Sequence, residues 1–300
     1  MAHKGGVVVI ILTMNQREKT LQCLSSLMAD ASAGYQILLW DNGSADGTCE
    51  AVRNAYPAVL AHHHPTNLGV ASGRNAAARL AAETFYPSYF LFLDNDMLVE
   101  PGFVDTLQRP FDEVPQVGQT QAKLRFMHDR ERLNDGGGAR INFMTWRVKP
   151  VGFGEVDRGQ YDTVRRCTAC GGAMMVRAEL FMRLNGFDTR FDPFGPEDLD
   201  FSLRLQRAGY SALYIPQAVA YHAVSHTYGR NYDEEYARTK LRHWLLFMRR
   251  HASLPQKLGF FLGAPFLGAQ VMLREGKKGN FRALVGFARG LLELLGHPGP

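Results

Sequence analysis

The run Phe90-Leu91-Phe92-Leu93, ending abruptly in Asp94-Asn95-Asp96, constrains this chain more than any other stretch. Four apolar residues without polar alternation predict a strand covered on both faces, the habit of parallel sheets packed under helices. In extended geometry Asp94 and Asp96 project to one side and Asn95 to the other. The carboxyl ends of strands in an open α/β sheet are where ligands bind. Two hard oxygen donors at that place suit a divalent cation bridged to phosphates. The plainer alternative is a polar turn, because Asp and Asn are common turn formers.

The preceding residues repeat the pattern. Val7–Leu12 reads as another doubly buried strand and ends in Thr13-Met14-Asn15. Leu21, Leu24 and Leu27 or Met28 then recur at helical spacing. Ile37–Trp40 is a third apolar run and ends in Asp41-Asn42-Gly43-Ser44-Ala45-Asp46-Gly47-Thr48, with a helix expected from Thr48 to Ala55. Ala58–His62 reads as a strand, Pro65–Gly69 as a loop and Ala71–Glu83 as an alanine-rich helix, and Pro101-Gly102 lets a further helix start. Strands alternating with helices predict a parallel sheet with right-handed crossovers. Three strand ends bearing polar clusters on one edge make a pocket.

These segments together resemble a known family. Asp41–Thr48 resembles the DNGSxDGT signature of family-2 inverting glycosyltransferases, Asn67-Leu68-Gly69 with Gly73-Arg74-Asn75 resembles their NLGxxxGRN segment, and Asp94-Asn95-Asp96 resembles their DxD motif. Gly171–Val176, Gly186–Phe191 and Glu197-Asp198-Leu199-Asp200 continue the likeness to about residue 230. The resemblance implies a GT-A fold: an α/β, Rossmann-like, mostly parallel central sheet with flanking helices, here followed by a C-terminal helical extension. It implies a catalytic domain over 1–230, with a nucleotide-sugar half to about residue 100 and an acceptor half beyond, and an extension over 231–300. Rhamnosyltransferase-like enzymes are the subgroup it most resembles.

The expected chemistry follows. Asp41 is acceptor-only when ionised and can take a hydrogen bond from the imide N–H of uracil or thymine. Thr13, Asn15, Asn67, Gly69, Arg74, Asp94 and Asn95 complete the expected nucleotide-sugar site, with turn and cap chemistry as the alternative for the loop residues. The metal, Mg²⁺ or Mn²⁺, falls to Asp96 and His222, with Asp94 on the ribose or on the metal through water. His222 lies 24 residues beyond Asp198, where the family places a metal-binding histidine, and His226 competes with it. The resemblance makes Asp198 the general base that takes the acceptor proton as the sugar inverts. Glu197, Asp200, Gly172 and Trp146 are assigned to the acceptor side or to support. Acids at a helix start are also favoured by its dipole.

Charge and cysteines narrow the class. Net charge is +5, but from Asp233 onward there are eleven Lys/Arg against five Asp/Glu, leaving the rest near neutral. A basic tail on a neutral body points to an anionic surface such as a membrane, and is too modest for nucleic acid. Tyr236–Arg250 reads as a basic helix with Lys240 where processive synthases carry the glutamine of QxxRW, which favours transfer of a single sugar. Leu258–Leu273 is uncharged but short for a membrane span and interrupted by Gly263 and Pro265. An apolar stripe from Phe281 to Leu295 can lie on an anionic membrane, pack on the catalytic domain or meet a second copy of the chain. Four cysteines are too few for a disulfide scaffold, and the Cys167/Cys170 spacing has no matching second pair. No secretory signal is evident, which points to the cytoplasm. Gly136-Gly137-Gly138 reads as a hinge, and 141–156 as a hairpin insertion.

The expectation is therefore an inverting transferase using a UDP- or dTDP-sugar and a glycan or lipid-linked acceptor in bacterial surface-polysaccharide assembly. The rivals are a glycan-binding scaffold on the same fold, and a sugar-phosphate nucleotidyltransferase. The latter needs a glycine-rich triphosphate loop, which Thr13-Met14-Asn15-Gln16 is not.

Overall fold

The computed structural model describes residues 5–29, 34–145, 147–168, 171–223 and 233–296. The chain divides into two compact units, Met1–Ala139 with Lys149–Val224, and Arg140–Val148 with Ser225–Pro300. The sequence reading put one boundary at residue 230. In the structure the tip of the insertion groups with the C-terminal helices as well.

In the first unit, β1 (Val7–Thr13), β2 (Gln36–Asp41), β3 (Leu60–His63) and β4 (Tyr89–Asp94) run parallel in the order β3-β2-β1-β4. Helices α1 (Arg17–Met28), α2 (Thr48–Ala55) and α3 (Val70–Phe85) make the crossovers. The sheet continues beyond β4 through antiparallel β11 (Ala173–Arg177) to β6 (Val117–Phe126), which pairs in parallel with β12 (Ser211–His222). Short β5 (Met97–Val99), β7 (Leu133–Asp135) and β10 (Arg165–Arg166) pair at its margins. Helices α4 (Phe103–Glu113), α5 (Ala178–Arg183) and α6 (Glu197–Arg207) complete the layers.

Burial on both faces is what makes β4 central. Leu91 and Leu93 join one core with Val9, Ile11 and Leu24, while Phe90 and Phe92 join the other with Ala77, Phe181 and Phe187. Phe92 meets Phe181 and Phe187 at ring-centroid distances of 5.0 Å, and Phe201 of α6 stands 5.2 Å from Phe181. This cluster ties α6, and the acids at its start, to the strand that carries Asp94. Asn75 of α3 reinforces the tie: its amide donates to the Phe187 carbonyl at 2.7 Å and accepts from the Phe187 N–H at 2.9 Å.

Gly136–Gly138 is not a hinge. The Asp135 carboxylate accepts the N–H groups of both Gly137 (2.8 Å) and Gly138 (2.6 Å), which fastens the turn. The expected hairpin is present as β8 (Ala139–Asn142) paired with β9 (Arg147–Pro150); Trp146, at its tip, lies outside the described residues.

The second unit holds α7 (Glu234–His251), α8 (Leu254–Lys277) and α9 (Phe281–Gly296). Gly263 and Pro265 do not interrupt α8, which is continuous. α9 packs on α7 through small residues: a Cβ on Gly290 would stand 3.2 Å from Leu241, and one on Gly286 would strike the backbone of Glu234. No helix among the described residues is long and apolar enough to cross a membrane.

Truncating the aromatic hub should be costly. Phe181→Ala is expected to lower stability by about 3–5 kcal/mol in urea unfolding, with the folded far-UV spectrum retained.

Candidate active site

β4 ends at Asp94, so Asp94 and Asp96 are not brought together by strand alternation. Asn95 and Asp96 form the turn into β5, and the turn returns Asp96 to the same point. Pairing of β5 with β12 sets Met97 opposite His222 and so delivers His222 to Asp96. One donor atom each from Asp94, Asp96 and His222 lies within 4.8 Å of the others.

The imidazole is oriented from behind. Its Nδ1 is 3.0 Å from the Asn134 side-chain oxygen, to which it donates, and its Nε2 is 3.3 Å from Asp96 Oδ1. A neutral ring with its proton on Nδ1 would turn the Nε2 lone pair onto a carboxylate oxygen, two acceptors face to face. The pair needs a proton or a cation there. Burial lowers the His222 pKa, but the hydrogen bond and charge of Asp96 outweigh it and the net shift is upward. Two carboxylates and an imidazole fixed through its far nitrogen form a donor set that fits a divalent cation. Lys19 adds a positive charge 3.9 Å from Asp96.

Arg74 links this cluster to the acids of α6. Its guanidinium donates to Asp94 Oδ1 at 2.6 Å and to Glu197 Oε1 at 3.1 Å. Glu197 is buried, and its Oε2 has no hydrogen-bond partner among the described residues. Asp198, part-exposed beside it, accepts the N–H of Gly171 on Oδ2 and that of Leu199 on Oδ1 at 2.6 Å. Burial, then the Asp198 charge, push the Glu197 carboxyl up to about 8 against the pull of Arg74. Burial also raises Asp198, opposed by its two backbone N–H bonds and by Arg74. Gly172 sits at φ +78 and its carbonyl accepts the Asp94 N–H at 2.7 Å, so it braces the strand end.

Other expected residues have structural employment. Thr13 Oγ1 pairs with Thr20 Oγ1 at 2.8 Å and accepts from Asn95 Nδ2 at 3.0 Å, which locks β1 to the turn. Asn15 takes the Ala45 N–H at 2.8 Å, and Asn67 takes the Asn42 amide and the Gly69 N–H, both at 2.8 Å. Gly69, at φ +89, has no room for a Cβ against Asp192, whose carboxylate accepts the Ala71 N–H at 2.8 Å. Asp41 is 1% exposed, with Ser44 N–H on one oxygen (2.9 Å) and His63 Nδ1 on the other (3.0 Å). Both Asp41 oxygens are thus already engaged, one of them by the exposed His63 ring. Asp200 does not line the site: it is fully buried and holds Arg204, which in turn donates to the Leu184 and Gly186 carbonyls. Trp146, His226 and Cys170 lie outside the described residues. Burial pushes the Cys167 thiol up to about 12, far from a reactive thiolate.

His63, Lys19 and Asn134 went unnoticed in the sequence. The His62-His63-His64 run at a strand end was a usable signal for the first. Asn134 had none, because only the β6–β7 pairing brings it to His222.

Residues 8–184 match the family described as Glycosyl transferase family 2. The chain belongs to that family. Residues 160–241 also match the N-terminal domain of galactosyltransferase. The transferase is 25% identical over 260 residues to the N-acetylglucosaminyl-diphospho-decaprenol L-rhamnosyltransferase of Mycobacterium tuberculosis, covering 81% of this chain and 84% of that one. It is 29% identical to the O-antigen biosynthesis protein RfbC of Myxococcus xanthus, covering 73% of this chain but only 17% of that one. The fold is that of GT-A transferases. GalNAc-T7, solved with UDP, GalNAc and Mn²⁺, superposes with a TM-score of 0.69 at 14% identity, over 90% of this chain and about half (52%) of its own length. A Pyrobaculum calidifontis mannosyltransferase, solved with GDP-Man and Mn²⁺, gives 0.57 at 20% identity over 100% of this chain and 77% of its own.

The raised Glu197 carboxyl has a sign. Between its ordinary 4.5 and about 8 the folded chain holds a proton that the unfolded chain has released, so this group's contribution to stability falls as pH rises through that window. Glu197→Gln is expected to flatten the decline, the gap from wild type widening toward about pH 8 in urea unfolding.

Proposed function

We propose that this transferase moves a single sugar from a UDP- or dTDP-sugar to a glycan or lipid-linked acceptor, with inversion and with Mg²⁺ or Mn²⁺, in bacterial cell-surface polysaccharide assembly. The observation that carries the reading is the convergence of Asp94, Asp96 and His222 within 4.8 Å, joined through Arg74 to the acids that open α6. A diphosphate leaving group and an attacking hydroxyl need these two kinds of chemistry side by side.

Asp96 and His222, with Asp94, would hold the cation, which neutralises charge on the departing diphosphate when bound. Arg74 holds the Asp94 carboxylate in place. Asp198 accepts the proton of the acceptor oxygen as that oxygen forms its bond to the anomeric carbon and the bond to the diphosphate breaks. The two backbone N–H donors hold the Asp198 carboxylate in place, and its upward shift moves a carboxylate closer to the range in which a general base is efficient. One displacement on the face opposite the leaving group inverts the centre. Glu197, neutral below about 8, adds no second charge to repel Asp198. The M. tuberculosis relative, by its name, acts on a lipid-linked sugar diphosphate, which supports the acceptor class.

The test begins with thermal unfolding against nucleotides with and without Mn²⁺. UDP or dTDP is expected to raise the midpoint in a metal-dependent way, while ATP and NAD do not. Asp96→Ala should abolish the metal dependence, and Asn134→Ala should weaken Mn²⁺ binding about 10–100-fold by freeing the His222 ring. Asp198→Asn should keep the nucleotide-induced shift yet lower turnover about 10²–10⁴-fold. Unchanged turnover in Asp198→Asn would remove it as the base.

A further inference from the structure

Helix α8 is built inside out. A helix on a globular surface turns its apolar stripe to the core and its polar face to water. In α8 only Glu275 is buried. Leu254 is 70% exposed, Leu258 57%, Phe261 73%, Leu262 85%, Phe266 67% and Leu273 65%. Their spacing confines them to a sector of about 140° around the axis, since each residue advances about 100°. The opposite side presents half-buried Phe260, Gly263, Ala264, Leu267 and Val271, and at its margin Gly259 faces Met144 of the hairpin tip. The second unit thus half-covers one side of α8 and leaves an outward band of leucine and phenylalanine. A contiguous apolar band of this kind marks an interaction surface.

The charges around the band select its occupant. From Leu258 to Leu273 no side chain is charged. Lys257 stands at one end, and Arg274, Lys277 and Lys278 stand exposed at the other. The one acid among them, buried Glu275, pairs with Arg274 at 2.6 Å and Lys278 at 3.9 Å and accepts from Asn280 at 3.1 Å, which leaves four cations against a single carboxylate. A second copy of α8 laid against the first would set these cations against their own kind in either direction. An anionic lipid surface meets both features at once, with acyl chains for the band and headgroups for the lysines. Sixteen uncharged residues reach about 24 Å along a helix, short of the roughly 30 Å hydrocarbon core, so the helix lies in the interface and does not cross it.

We infer that α8 docks the protein on an anionic lipid bilayer, its Leu254–Leu273 band at the acyl boundary and Lys257, Lys277 and Lys278 at headgroup level. The stripe expected from the sequence on α9 also carries exposed apolar residues, Phe281 (68%) and Val285 (44%), on the side opposite the Ala283, Gly286 and Gly290 that pack onto its own unit. The inference does not rest on the transfer reading, since it concerns a surface of the second unit and its test uses no nucleotide.

The test is flotation of the full chain with vesicles of phosphatidylcholine alone and of phosphatidylcholine with phosphatidylglycerol. The chain is expected to float with the anionic vesicles, to stay behind with the neutral ones, and to be released as salt is raised. F261E/F266E and, separately, K277E/K278E should each weaken the binding about tenfold or more while unfolding at the wild-type temperature. Wild-type protein that ignores anionic vesicles overturns the proposal, whatever the variants do. Equal binding by F261E/F266E also overturns it, as does a dimer in light scattering that the phenylalanine changes dissolve.

Discussion

The buried guanidinium of Arg74 is the interaction on which the site depends. It is taken out of water between Asp94 at the end of β4 and Glu197 at the start of α6, and it donates to both. Removing the Asp94 carboxylate would leave the buried Arg74 charge without its ionised partner. The network also sets electrostatics: Arg74 opposes the upward pull of burial on Glu197 and Asp198, while holding Asp94 toward Asp96 and His222.

Arg74 can do this only because packing brings its partners within reach. The ring cluster of Phe92, Phe181, Phe187 and Phe201 fixes α6 against β4, and Asn75, one residue along, stitches α3 to the Phe187 backbone. A second set of ties comes from Asp192, whose carboxylate caps the start of α3. Segments more than a hundred residues apart in the chain are thereby held together at one edge of the sheet. The acidic end of β4 and the acidic start of α6 are joined by a cation of the protein's own.

Much of this was legible beforehand. The doubly apolar runs named β1, β2 and β4 and their layer assignments, because a strand covered on both faces leaves no polar position. The acids Asp94, Asp96, Glu197 and Asp198 and the distant His222 were visible as residue types in a recognisable order. What escaped was the use of their hydrogen-bonding capacity. Thr13, Asn95 and Asp200 look like site groups in one dimension, yet their polar atoms are consumed by Thr20 and Arg204. Gly136–Gly138 look loose until Asp135 is seen to hold their amides.

By itself the sequence determined the alternation of strands and helices, the polar strand ends and the basic, apolar C-terminal helices, because these follow from local periodicity and the burial each residue tolerates. Tertiary structure alone decided three things. It placed His222 beside Asp96 through the β5–β12 register, with Asn134 behind it through β7. It put His63 over Asp41. It also turned the apolar face of α8 outward. The reason is common to all three. Strand register and the choice of which helix face is covered are settled by contacts between residues remote in sequence, and no local pattern encodes which partner will arrive.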